Sequence, residues 1–183
     1  CIMRYLISIS YDGSKFQGFQ RLKENVSVQK VIEDALTKIN KDKVVIKGAG
    51  RTDRGVHALD QKAHFDLNIN ITPEGLKKAL NSLVKPYIYI NDCKIVDENF
   101  HARFCVKEKV YVYKINLGEY NPILKDYVNQ NVNNLDIKTM KKASKVFLGV
   151  HNFKNFVSGE RDNYDCIIYK IKFKVVNNKI TIV

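Results

Sequence analysis

Arginine is the scarce cation of this chain. Of 31 basic residues, six are arginine and 25 are lysine. Acidic residues are also few, 19 in all, which leaves a formal net charge of +12. That balance favours a polyanionic partner, most simply nucleic acid. The alternative is compositional drift, since lysine and asparagine are both abundant, as in AT-rich genomes. No uninterrupted apolar run approaches the roughly 20 residues that a membrane-crossing helix needs. The first residues carry no secretory-signal pattern, and Cys1-Ile2 ahead of Met3 reads as an added remnant or an upstream start. The four cysteines (Cys1, Cys93, Cys105 and Cys166) include no Cys-x-x-Cys pair. Their scatter argues against a zinc site or a disulfide framework and fits a reducing, cytoplasmic setting. No low-complexity linker interrupts the 183 residues, which suffice for one large domain or two small ones with a real core.

Two of the six arginines flank a single carboxylate in Gly48-Ala49-Gly50-Arg51-Thr52-Asp53-Arg54-Gly55-Val56-His57-Ala58. Lysine serves for general positive charge, so arginine here suggests a need for the planar guanidinium fork. The glycine spacing is wrong for a dinucleotide fingerprint, and Val56 stands where a phosphate-binding P-loop requires lysine. Without a fixed partner carboxylate, glycosidase chemistry with water is not indicated. Two readings stay open. Asp53 caps a turn while the arginines are solvated or bind phosphate. Alternatively, guanidinium charge keeps Asp53 ionised, making it a nucleophile or base. The arginines would then hold a polyanionic substrate or fill the gap left by an extruded base.

Met3 to Tyr11 alternates as a strand, with Tyr5, Ile7, Ile9 and Tyr11 on one face. Ser27 caps a helix whose stripe is Val28, Val31, Ile32, Ala35, Leu36 and Ile39. Lys43 to Lys47 reads as a short strand and Gln61 to Leu67 as another, with Ala63, Phe65 and Leu67 inward. Thr72-Pro73 opens a second helix with Leu76, Ala79, Leu80 and Leu83 on its stripe, and Tyr87 to Val96 is the next strand. This order, β-α-β-β-α-β, is the ferredoxin-like unit. The second half starts likewise. Val110 to Leu117 is a strand with Tyr111, Tyr113, Ile115 and Leu117 on one face. Asp136 caps a helix bearing Met140, Ala143, Ser144, Phe147 and Leu148, closed by Gly149. Ile167 to Val175 alternates as one strand, Asn177-Asn178 turns, and Lys179 to Val183 begins another. The expected fold class is α+β: two ferredoxin-like halves, residues 1–99 and 100–183, the second incomplete. Helices lie on one face of an antiparallel or mixed sheet that could run through both halves.

At this point the chain resembles the TruA-type tRNA pseudouridine synthases. The resemblance rests on Ala49 to Ala58 and on Tyr11-Asp12-Gly13-Ser14-Lys15-Phe16-Gln17-Gly18-Phe19-Gln20. Phe100-His101-Ala102-Arg103-Phe104 followed by Tyr111-Val112-Tyr113 is similar to the family's central motif. Leu148-Gly149-Val150-His151-Asn152-Phe153 with Phe156 is similar to the segment after its last-domain helix. The resemblance implies isomerisation of uridine to pseudouridine in the tRNA anticodon stem-loop, by a homodimer, without metal or organic cofactor. It implies that Asp53, in a cleft between the halves, is the catalytic nucleophile or base. Arg51 would enter the stem and help flip the nucleotide, and Tyr111 would stack on the flipped uracil. Arg54, Arg103 and Lys15, each inside a motif, are further candidates for RNA contact. So are Lys138, Lys141, Lys142 and Lys145 on one helix. His57, His64, His101 and His151 carry no role in the chemistry and are read as structural or loop-ordering.

The family continues past a strand like Lys179–Val183 into a further strand and a helix bearing Met-Val-Arg, whose arginine pairs with the aspartate. The expectation is therefore that a closing helix and strand are missing here. Smaller departures are Arg54 for alanine, Phe19 for tryptophan, Lys109-Val110 for an arginine-rich pair, and Cys166 near an expected Arg-Thr pair. Two rivals remain: a non-catalytic RNA-binding module, and an inactive fragment of such an enzyme.

Overall fold

The computed structural model describes residues 2–183, so Cys1 and the reading placed on it lie outside the described residues. The chain divides into two compact units, one ending at Glu108 and the other running from Lys109 to Val183. Elements of the first unit are β1 (Met3–Tyr11), α1 (Val28–Asn40), β2 (Lys47–Gly48), β3 (Ala58–Leu67), α2 (Pro73–Val84) and β4 (Ile88–Val96). Their order is the expected β-α-β-β-α-β. The strands form one sheet in the order β2-β3-β1-β4, every neighbour antiparallel.

The alternation in β1 sets the core. Tyr5, Ile7, Ile9 and Tyr11 share one buried face and join Phe65, Leu67, Ile88 and Ile90 from the neighbouring strands. Both helices bring their apolar stripes to this cluster: Val28, Ile32, Ala35 and Leu36 from α1, and Leu76, Leu80 and Val84 from α2. The helix starts follow the expected capping. Ser27 Oγ accepts from the Lys30 N–H (3.1 Å), and Thr72 Oγ1 from that of Gly75 (3.1 Å). On the other face of the sheet, Leu6, Ala49 and Ala102 form a smaller buried cluster backed by Phe100 and Val106. This packing carries the first unit past residue 99.

Two expectations for the first unit need correction. The stretch from Lys43 is a strand only at Lys47–Gly48. Val44 and Ile46 are buried as alternation requires, but their N–H groups go to α1 side chains, Thr37 Oγ1 (3.3 Å) and Glu33 Oε1 (3.0 Å), instead of a sheet ladder. In α2 the inward stripe is Leu76, Leu80 and Val84, four residues apart, while Leu83 is exposed.

The second unit contains β5 (Tyr113–Asn116), α3 (Ile137–Ser144), β6 (Gly149–Asn152), β7 (Asp165–Ile168), β8 (Phe173–Val176) and β9 (Lys179–Ile182). Asp136 caps α3 through the Thr139 N–H (3.1 Å). The strands make two sheets, β5-β9-β8 and β6-β7, both antiparallel. Each of these sheets is built from strands of one unit. The expected strand from Val110 is regular only over β5. The single strand expected from Ile167 to Val175 is two strands in different sheets: β7 pairs with β6, and β8 pairs with β9. Its partner changes at the intervening residues 169–172, and Ile167, Tyr169 and Val175 of the expected inward face stay exposed. Lys172 already exchanges backbone hydrogen bonds with Val183. Asn177, at φ 53°, opens the β8–β9 turn as expected. The family-level α+β architecture stands: three α-helices and antiparallel sheets among the described residues.

Candidate active site

Asp53 lies in the connection from β2 to β3. Its carbonyl accepts from the Val56 N–H (3.2 Å), closing a tight turn through Arg54 and Gly55. Gly55 has φ +81° with open space around its α-carbon, so backbone conformation is what calls for glycine there. The loop is buttressed by the Tyr11–Gln20 segment. A side chain on Gly13 would meet the Val56 carbonyl oxygen at 1.9 Å, and one on Gly18 (φ +92°) the Thr52 carbonyl at 2.8 Å. The Phe19 N–H donates to the Thr52 carbonyl (3.1 Å), and the Tyr11 hydroxyl lies 2.8 Å from Thr52 Oγ1. On the other strand, Gln61 Nε2 donates to the Gly50 carbonyl (3.1 Å). Burial raises the pKa of Tyr11, so it remains a neutral partner.

His57 ties the two loops together. Its Nδ1 accepts from the Gly13 N–H (2.9 Å), with Asp12 Oδ1 3.2 Å away. That carboxylate oxygen also accepts from the Ser14 N–H and hydroxyl (3.0 and 2.6 Å). This is loop ordering, as expected for His57. His64 has a comparable task on the opposite face: its Nδ1 accepts from the buried Ala102 N–H (3.0 Å). Burial first, then the charges of His101, Arg4 and Lys47, push the His64 pKa down to about 4. The imidazole is therefore neutral at pH 7. Arg4 fastens the same segment, pairing bidentately with Asp66 (2.8 and 2.9 Å) and donating to the carbonyls of Glu98 and Phe100.

The backbone is thus pinned while the polar side chains stay outward. Asp53, Arg51 and Arg54 are all exposed, and among the described residues no ion pair joins Asp53 to either arginine. Among the described residues neither guanidinium group is paired with a carboxylate. Lys15 is exposed, with its ammonium 5.4 Å from the centre of the Tyr87 ring. Arg103 is exposed, its N–H donating to His101 Nδ1 (3.2 Å). Tyr111 belongs to the second unit, precedes β5 and is 76% exposed. The four α3-region lysines, Lys138, Lys141, Lys142 and Lys145, are exposed as well. His151 Nε2 lies 2.8 Å from the Leu148 carbonyl. Among the described residues no three His, Cys, Asp or Glu side chains gather closely enough to hold a metal ion.

Sequence reasoning missed the support beneath this loop. Glu33 is buried on α1; it accepts from Arg21 (3.0 Å), from Gln29 (3.0 Å) and from the Ile46 N–H just ahead of β2. The available signal was a glutamate directly beside Ile32, at the border of the apolar stripe. The close approaches at Gly13 and Gly18 had a weaker signal, two glycines in one loop.

A family profile described as tRNA pseudouridine synthase matches residues 7–105, which include all the first-unit candidates. A protein of Mycoplasma genitalium named tRNA pseudouridine synthase A is 38% identical over 177 residues, covering 97% of this chain and 72% of that protein. Proteins of the same name from Mycoplasmoides gallisepticum and Lactobacillus helveticus are 38% and 41% identical, covering 97% and 85% of this chain. The chain spans 67% and 60% of their respective lengths.

Proposed function

Because the chain belongs to the tRNA pseudouridine synthase family, we propose that it isomerises uridine to pseudouridine in the anticodon stem-loop of tRNA, with Asp53 as the nucleophile or base. The observation that carries this reading is the contrast within one loop. Its backbone is held by Gly13, Gly18, Phe19 and His57, while the Asp53 carboxylate and two guanidinium groups face outward. A preorganised backbone with exposed charge is what catalysis on a large polyanion requires. In the reaction the bond from uracil N1 to ribose C1′ breaks, the base turns while held, and C5 bonds to C1′. N1 gains a proton and C5 loses one, so atoms balance without a redox partner. Arg51 enters the stem and supports the flipped nucleotide, at an unstacking cost of a few kcal/mol. Tyr111 stacks on the uracil, and Arg54, Arg103 and Lys15 hold phosphates.

The sheet order β2-β3-β1-β4 supports reading the first unit as a ferredoxin-like half, with the second unit as its incomplete counterpart. A cytoplasmic homodimer completes the reading. Tritium release from tRNA carrying 5-tritiated uridine tests it. The wild-type chain releases tritium, and Asp53→Asn lowers the rate at least about a thousandfold with an unchanged thermal midpoint, because the side chain is exposed. Wild-type-like release from Asp53→Asn overturns the assignment. Tight tRNA binding without release from either protein favours the non-catalytic RNA-binding module.

A further inference from the structure

The open edge of the first sheet carries a second group of cations, outside the Asp53 loop. β4 is an edge strand, and α2 packs beside it. Between them lies a cavity of about 600 Å³ whose lining includes Lys77, Lys78, Lys85, Asn81 and Tyr89, with Glu74 its single carboxylate. The cations are placed. Lys77 Nζ donates to the Asn91 carbonyl (2.7 Å) and sits 5.9 Å from the Tyr89 ring centre, with Lys85 Nζ at 5.6 Å from the same ring. Lys15 lies against Tyr87 in the same way, at 5.4 Å. Both tyrosines are nearly half exposed. Ammonium groups beside aromatic faces and the flat faces themselves together suit a strand with phosphates and stackable bases.

The row begins at the end of the sheet that holds the Asp53 loop. Tyr11 pairs with Ile88 on one side and with Ala58 on the other, and the Asp12 N–H donates to the Tyr87 carbonyl (3.0 Å). Lys15, Tyr87, Lys85, Tyr89 and Lys77 therefore lead away from that end along β4. Lys77 also occupies an edge carbonyl that an added β-strand would need, which disfavours a protein partner docking by strand addition.

We propose that this edge is a docking track for the sugar–phosphate backbone of the substrate RNA, beyond the nucleotide that reacts. The proposal rests on the reading of the chain as tRNA-binding. Its test is equilibrium binding of an unmodified tRNA transcript to the full chain over a range of KCl concentrations. The Lys77→Gln/Lys85→Gln pair is compared with Lys38→Gln/Lys43→Gln, an equal charge change at exposed lysines of α1 and the stretch that follows it. The edge pair lowers affinity roughly tenfold at 0.1 M salt and flattens the salt dependence by about 0.7–0.9 per lost contact. The control pair changes affinity less than about twofold. Lys85→Gln alone, at an exposed side chain, gives the single-contact change without bearing on the fold.

Equal losses in both pairs, or none in the edge pair, overturn the track. Polyglutamate competing as well as RNA of equal charge overturns RNA as its occupant. Pseudouridine formation is scored separately. Edge-dependent binding without product leaves the track standing and removes the catalytic reading, whereas product with edge-independent binding does the reverse.

Discussion

The two units use similar strand patterns with opposite results. In the first, one face of a four-stranded sheet is covered by α1 and α2, and a single cluster runs from Tyr5 to Cys93. In the second, α3 buries no residue, β6 is exposed along its length, and the buried apolar side chains are Ile115 and Ile180, paired across β5 and β9. Phe147, Phe153 and Phe156 gather at ring separations of 5.6–6.3 Å, yet Phe156 remains 71% exposed. Alternation states which face of a strand is apolar; a second layer must then cover that face before it contributes to stability. The candidate catalytic loop stands on the unit where that condition is met.

Matched substitutions break the comparison most sharply. Phe65 is 2% exposed and stacks on Tyr5 at 6.0 Å, so Phe65→Ala costs about 3–5 kcal/mol in denaturant unfolding. Phe156→Ala in the second unit costs less than about 1 kcal/mol. Equal costs would mean that the second unit is as well covered as the first. A smaller effect separates buried from exposed hydrogen bonding. Glu33→Ala strands the Ile46 N–H and costs about 2–3 kcal/mol. Asp136→Ala removes only the exposed cap of α3, about 1 kcal/mol. Amide exchange read at Ile46 and Thr139 checks where each loss falls.

Mild acid sharpens the contrast further. His64 is 2% exposed and holds its pKa near 4 in the fold, against 6.5 for an ordinary histidine. The unfolded chain therefore takes up this proton first. Stability is full above pH 6.5 and declines as pH falls towards 4. His101 is shifted in the same direction by burial and the nearby Lys47, Arg4 and Arg103. The first unit loses about 1–2 kcal/mol between pH 7 and 5, before the carboxylate range is reached. The second unit, whose only histidine, His151, is exposed, changes less. Melts monitored separately for the two units at pH 7, 6 and 5 measure this, and His64→Gln removes most of the dependence.

Local chemistry by itself determined a good deal. Met3–Tyr11 is a strand with its four inward residues as read, because period-two burial is a property of consecutive side chains. Ser27, Thr72 and Asp136 cap their helices because each side-chain oxygen needs only an N–H three residues on. The Asp53 loop was legible in its arginines and glycines. Tertiary structure decided what depends on distant partners. The N–H of Ile46 meets a helix carboxylate instead of a strand, and the run from Ile167 to Val175 divides because its pairing partner changes. Val84 replaces Leu83 in the core, and Gly13 lies where a carbonyl 43 residues later leaves no room for a side chain. Periodicity is written in neighbouring residues; hydrogen-bond partners and contact distances are set only when remote segments arrive, since each buried polar group must then find its mate.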